Sequence, residues 1–236
     1  MKTYCISDIH GHLKELEAFR DTLDENDHVY VLGDIVDKGD DPIGCLKLIM
    51  NDDRFECILG NHEYMMWQFL SAEKGTQEYE DTFMQWIAWN RGEDTYNPYL
   101  LLDEEERKKI YAFIEDLPLN IPDVEVNSHR YYLVHSLPGS DVQVRMKDLG
   151  YDDDLIYPYI WDRHGIDEDF EPVKGKAVIA GHTAVQVYEP ERCEPYFAGD
   201  DIEKAAYIDI DGGLAYGMKN SHLIALCLDD LEYKLY

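Results

Sequence analysis

The chain has 236 residues, 45% of them hydrophobic and 30% charged, and its 21 basic against 50 acidic side chains give a formal net charge of −29. That excess of carboxylates reads as a solvated acidic surface and argues against nucleic acid, which is held by clustered Lys and Arg. No apolar run approaches the roughly 18–20 residues that span a bilayer.

A strand is predicted over residues 2–7, followed by Asp8-Ile9-His10-Gly11 and a helix over 13–23 with Leu13, Leu16, Phe19 and Leu23 on one face. The next strand, 28–32, runs into Gly33-Asp34-Ile35-Val36-Asp37-Lys38-Gly39, and a helix over 42–50 starts on Pro42. A third strand, 55–59, meets Gly60-Asn61-His62-Glu63. Helical segments around 64–72, 79–89 and 104–115 then break the alternation, and the stretch 64–127 reads as a helical insertion beside the rim. From Arg130 the pattern turns to β, with strands at 131–134, 177–180, 206–210, 223–228 and 231–235, the last two joined at Asp229-Asp230. No linker divides the chain, so a single domain over 1–236 is expected. No basic-then-apolar signal segment opens it, and the five scattered Cys read as free thiols, consistent with a cytoplasmic protein.

Parallel strands joined by helical crossovers send their carboxyl ends to one edge of the sheet, where such folds bind ligands. Asp8, His10, Asp34, Asn61 and His62 are thereby delivered to one rim. Two later strands also end in histidine, at Val134-His135-Ser136 and Ala180-Gly181-His182-Thr183. Each His alone reads as structural, and His28, His129 and His222 occur without any motif. Together, Asp8, His10, Asp34, Asn61, His135 and His182 are enough to hold two metal ions with one carboxylate bridging them.

With the five blocks in order from Asp8 to Thr183, the chain resembles the metallophosphoesterase superfamily. Within it, the likeness is to the phosphoprotein phosphatase family, especially its compact bacterial and viral members. Ile160-Trp161-Asp162-Arg163 is similar to a segment carrying a phosphate-binding Arg, and residues 207–213 resemble the family's closing strand and turn. The resemblance implies an α/β fold in which two mixed β-sheets pack as a sandwich with flanking helices, the first three strands in one sheet and the later strands in the other. It implies that Asp8, His10 and Asp34 bind one divalent ion, and that Asp34, Asn61, His135 and His182 bind a second. Mixed oxygen and nitrogen ligands suit Mn²⁺, with Fe, Zn²⁺ or Mg²⁺ as alternatives.

Two cations about 3.5–4 Å apart would activate water for direct attack on phosphorus. His62 is the natural general acid and Asp37 its partner. Arg163, Lys38 and Asn61 are expected on the phosphate oxygens, Lys38 standing where the family usually has Arg. Glu63 is read as a support for the loop, and His12 and His164 as bystanders. The expected activity is a metal-dependent phosphomonoesterase acting on phosphorylated proteins. A small phosphoester, including a dinucleoside polyphosphate, is the rival substrate, and a non-catalytic scaffold is the third reading. Trp86, Trp89, Tyr96 and Tyr99 can line a substrate groove or simply fill a core. Oligomeric state is not legible.

Overall fold

The computed structural model describes residues 1–163, 172–197 and 201–236. Three parallel strands, β1 (Thr3–Ile6), β2 (His28–Val31) and β3 (Phe55–Cys57), are linked by helices α1 (Leu13–Arg20) and α2 (Pro42–Met50). Asp41 caps α2 by accepting from Gly44 N at 2.8 Å, and Pro42 fills the first turn, where a missing N–H costs nothing. Helix α3 (Asn61–Ser71) starts directly after β3, so its first turn stands at the rim.

Beyond α3 come α4 (Gln77–Phe83), a π-type turn over Met84–Ala88, α5 (Glu93–Leu100) and α6 (Glu104–Asp116). The helical stretch therefore ends at Asp116 rather than near residue 127. Residues 120–126 form strand β4 (Asn120–Val126), paired antiparallel to β5 (His129–Val134). Pro122 and the register shift between Ile121 and Val124 break the alternation that marks a strand in sequence. Helix α5 escapes sequence reading because Pro98 lies inside it and its apolar spacing is short.

Two acidic runs, from Asp103 and from Asp152, start helices. Asp103 caps α6, and Asp152 caps α7 (Asp153–Ile160), each accepting backbone N–H groups while acidic neighbours fill the first turn. Strand β6 (Ala177–Ala180) follows, then the short helix α8 (Val185–Tyr188), edge strand β7 (Tyr196–Phe197) and β8 (Tyr207–Asp209). The last strands, β9 (Ile224–Cys227) and β10 (Tyr233–Leu235), form the hairpin expected at Asp229-Asp230.

Two mixed five-stranded sheets result, ordered β10-β9-β1-β2-β3 and β4-β5-β6-β8-β7. The closing hairpin thus joins the first sheet, not the second: β9 lies antiparallel beside β1, with Tyr4 opposite Cys227. Periodicity cannot reveal which open edge a hairpin will take. Alternate side chains split the core into two layers. Cys5, Leu32, Ile58, Leu133, Ile179, Ile208 and Leu226 fill the space between the sheets. Ile6, Val29, Val31, Tyr132, Val134 and Val178 face the helices. Cys5, Cys45, Cys57 and Cys227 are buried free thiols, and Cys193 is a free thiol at intermediate exposure. Among the described residues, no helix is long and apolar enough to cross a membrane.

Candidate metal centre

The loops after β1, β2, β3, β5 and β6 meet at one edge of the sandwich. Asp8 N donates to Gly33 O at 3.2 Å, His10 N to Asp34 O at 2.9 Å, and Gly181 N to His135 O at 3.0 Å. Asp8, His10, Asp34, Asp37, Lys38 and His182 all have positive φ, between 45° and 71°. Left-handed backbone at a non-Gly residue costs on the order of 1–3 kcal/mol and persists where surroundings impose it. Six such residues in one rim are a concentration of strain. Glycines permit the close approach: a Cβ at Gly181 would lie 2.2 Å from Asp8 Oδ2, and one at Gly60 would lie 2.3 Å from Asp34 Oδ1.

Three imidazoles turn one nitrogen outward to a backbone carbonyl. His10 Nδ1 donates to Val36 O at 3.1 Å, His135 Nδ1 to Leu32 O at 2.7 Å, and His182 Nε2 to Trp161 O at 3.2 Å. A carbonyl only accepts, so the facing nitrogen carries the hydrogen and the inward nitrogen carries a bare lone pair. His10 Nε2 then lies 3.5 Å from Asp34 Oδ2 and 3.8 Å from Asp8 Oδ1, and His135 Nε2 lies 3.5 Å from Asp34 Oδ1. Asp8 Oδ2 is occupied, accepting from Ser7 Oγ at 2.5 Å and from His182 N at 3.0 Å.

Asn61 provides the test of whether this centre suits a cation. The amide atom it turns inward, oxygen or nitrogen, meets His135 Nε2 at 3.0 Å, His182 Nδ1 at 3.1 Å and the Asp34 oxygens at 3.2–3.3 Å. Acceptors facing acceptors are unfavourable unless something positive lies among them. Turning the NH₂ inward would satisfy at most two of the four, whereas a metal ion satisfies every one. The donor set therefore fits a divalent cation. His10, Asp34 and His62 form one group able to hold an ion, and Asp34, His135 and His182 form another, all buried and sharing Asp34.

His62 differs from the other three. Its Nδ1 faces a carboxylate, Asp37 Oδ2, at 2.6 Å, and its Nε2 points inward, 4.0 Å from Asp34 Oδ2. Burial pushes the Asp37 carboxyl up to about 7, opposed by donation from Thr95 and Trp86. Burial, then the charge of Lys38, holds the His62 imidazole well below its ordinary pKa. Burial, then His62 and Lys38, lowers His10, and burial, then His135 and Arg163, lowers His182, while Asp34 is raised by burial and Asp8 with Lys38 opposing, so both cations bear on the centre from its rim.

Glu63, fully buried, accepts from Asp34 N and Ile35 N at 2.8 Å, Val36 N at 3.1 Å and Gly60 N at 3.2 Å. One carboxylate ties the second loop to the third. Leaving a buried donor unmet costs about 1–3 kcal/mol, so Glu63→Ala should lower stability by at least about 3 kcal/mol, read from urea unfolding. A loss below about 1 kcal/mol would mean that these N–H groups find other partners.

Sequence reasoning assigned nothing to Asp209, the last residue of β8, or to Asp211 just beyond it, both buried and both within reach of the charge of Asp8. Burial, then the charge of Asp8, holds Asp211 well above the ordinary carboxylate range, and Gly213 N donates to it at 2.8 Å. Their signal was the unbroken apolar strand ending in two acids, Tyr207-Ile208-Asp209-Ile210-Asp211. Arg163 is exposed, its backbone N–H on Asp162 Oδ1 at 3.0 Å. His12 Nδ1 bonds Ile9 O at 3.0 Å, and His28 Nε2 lies 3.3 Å from Glu56, away from the centre. His164 lies outside the described residues. Of the four aromatics, Trp86 and Tyr99 are buried, Tyr96 packs against the core, and Trp89 is exposed.

Residues 1–203 match the family model for calcineurin-like phosphoesterases, Metallophos, and the chain belongs to that family. A symmetrical bis(5'-nucleosyl)-tetraphosphatase of Buchnera aphidicola subsp. Acyrthosiphon pisum (strain Tuc7) is 36% identical over 67 residues, 27% of this chain and 24% of that protein. Its counterpart from Buchnera aphidicola subsp. Schizaphis graminum (strain Sg) is 31% identical over 124 residues, 48% of this chain. The matched stretches span less than half of these curated relatives, 24% and 44% of their lengths. The crystal structure of a putative diadenosine tetraphosphatase superposes with a TM-score of 0.61 at 16% identity, covering 100% of this chain and 92% of that one. At that identity the likeness is one of fold.

Proposed function

We propose that this calcineurin-like phosphoesterase, working as one domain, hydrolyses phosphomonoesters of the protein-phosphatase kind with two divalent cations, manganese being the first choice. Asp8, His10 and Asp34 hold one ion, and Asp34, Asn61, His135 and His182 the other. When bound, such a pair makes water a stronger nucleophile and polarises the phosphoryl oxygens. Lys38, Arg163 and Asn61 take the non-transferring phosphate oxygens, the guanidinium fork being well shaped for them.

The observation that carries this reading is the buried Asp37–His62 pair at 2.6 Å. Asp37 fixes the His62 ring with Nε2 inward. As the bond between phosphorus and the ester oxygen breaks, that oxygen takes the Nε2 proton and leaves as an alcohol. A water oxygen replaces it on phosphorus, and His62 regains its proton from solvent. The alkoxide of a serine or threonine is a poor leaving group without such a donor.

The names of the curated relatives favour a second reading, hydrolysis of a dinucleoside tetraphosphate. A nucleoside diphosphate leaves as a much weaker base and gains little from a proton donor, which is why the acid pair favours monoesters. The manganese-loaded protein should be assayed side by side on phosphopeptides, nucleotides and diadenosine tetraphosphate. The expected result is a kcat/KM at least about tenfold higher on a phosphopeptide, and the reverse order would install the second reading.

A further inference from the structure

The helical stretch beside the rim reaches the proposed acid through two buried side chains. Asp37 is fully buried, and its carboxylate accepts three side-chain hydrogen bonds. His62 Nδ1 and Trp86 Nε1 donate to Oδ2 at 2.6 and 2.9 Å, and Thr95 Oγ1 donates to Oδ1 at 2.5 Å. Asp37 N donates back to Thr95 Oγ1 at 2.9 Å, so one hydroxyl holds both the backbone and the carboxylate of a residue whose φ is 71°. Trp86 and Thr95 have no solvent exposure, and neither belongs to the strand–helix frame that brings the loops together.

The local backbone is built for this reach. Trp86 sits inside the π-type turn Met84–Ala88, where Trp89 N bonds Met84 O at 3.1 Å. The extra residue of such a turn re-aims the side chains it carries, and π turns recur at functional sites. Gly92 lies flat on the indole: a Cβ there would come within 2.7 Å of three ring atoms. Phe69 of α3 and Tyr96 of α5 pack on the same ring at centroid distances of 5.5 and 6.0 Å. The indole is therefore packed against Gly92, Phe69 and Tyr96 with its N–H aimed at one oxygen.

The geometry points to Trp86 and Thr95 as positioning residues that fix the Asp37 carboxylate, and through it the His62 ring, for proton delivery to a poor leaving group. With either donor removed, the carboxylate gains rotational freedom, and the His62 ring loses its single orientation. The effect falls on the proton-transfer step and leaves substrate binding alone. This inference rests on the reading of His62 as the proton donor.

The test compares manganese-loaded wild type, Trp86→Phe, Thr95→Val, Thr95→Ser and His62→Ala on an alkyl phosphate and on p-nitrophenyl phosphate, whose leaving group needs little protonation. Trp86→Phe and Thr95→Val should each lower kcat on the alkyl ester about tenfold, the size of one lost hydrogen bond to a charged group. Both should change kcat on p-nitrophenyl phosphate less than about twofold, with KM unmoved and Thr95→Ser restoring the wild-type ratio. Equal losses on both substrates, or none, alongside a leaving-group effect in His62→Ala, would overturn the inference and leave the acid assignment standing. Absence of a leaving-group effect in His62→Ala would overturn both. If Trp86→Phe fails to fold, the benzothienyl isostere of tryptophan at position 86, lacking only the N–H, makes the same comparison.

Discussion

His62→Ala is expected to lower kcat on an alkyl phosphomonoester by about 10²–10⁴-fold, the usual contribution of a positioned general acid, while bound manganese stays near two ions per chain. The argument turns on what the outward nitrogen of each imidazole touches. His10, His135 and His182 face carbonyls and so present bare inward nitrogens. His62 faces Asp37, a carboxylate that fixes the ring with Nε2 inward and, when ionised, opposes the burial that holds the imidazole below its ordinary pKa. The rival possibility is geometric: His62 also lies in a group with His10 and Asp34 that can hold an ion. Metal analysis beside the kinetics separates the two. Loss of an ion in His62→Ala would make it a ligand, and full activity on an alkyl phosphate would remove it from the chemistry.

Asp34→Asn should change stability in opposite directions with and without metal. In the metal-free protein, burial and then the neighbouring Asp8 hold both Asp34 and Asp211 well above the ordinary carboxylate pKa. The folded state then binds more protons than the unfolded chain, so this cluster's contribution to stability falls as pH rises above about 4. Asparagine at position 34 removes one member of the cluster, and the metal-free variant should melt higher than metal-free wild type at neutral pH. Wild type, by contrast, should gain about 2.7 kcal/mol from manganese at a hundred times its Kd, a rise of several degrees in Tm for a chain of this size. The variant should lose most of that gain together with activity, because Asp34 faces both His10 and His135 at 3.5 Å. An unchanged manganese-induced shift in Asp34→Asn would remove Asp34 from the centre.

What was legible in the sequence was mostly what repeats at short range. The six residues read as ligands stand together because each follows an apolar run, and strand ends in a parallel arrangement share an edge. The helix that follows Asp103 was legible for a similarly local reason. The edge chosen by the final hairpin was not legible, since Ile224 and Leu226 alternate identically in either sheet. Nor were Trp86 and Thr95, which reach Asp37 from 49 and 58 residues away. Their contacts depend on a π-type turn and on a glycine lying against an indole, and neither leaves a periodic trace. Trp86 in sequence looked like core, and by burial it is, yet its one polar atom decides its importance.

The seating of β9 against β1 has a consequence for biosynthesis. Tyr4 pairs with Cys227, so the strand that leads into Asp8 and His10 emerges from the ribosome 223 residues ahead of its neighbour. At about 5–20 residues per second, that edge waits roughly 11–45 seconds uncovered, a template on which a stray strand can dock. Completion of the first sheet therefore waits on translation of the final hairpin.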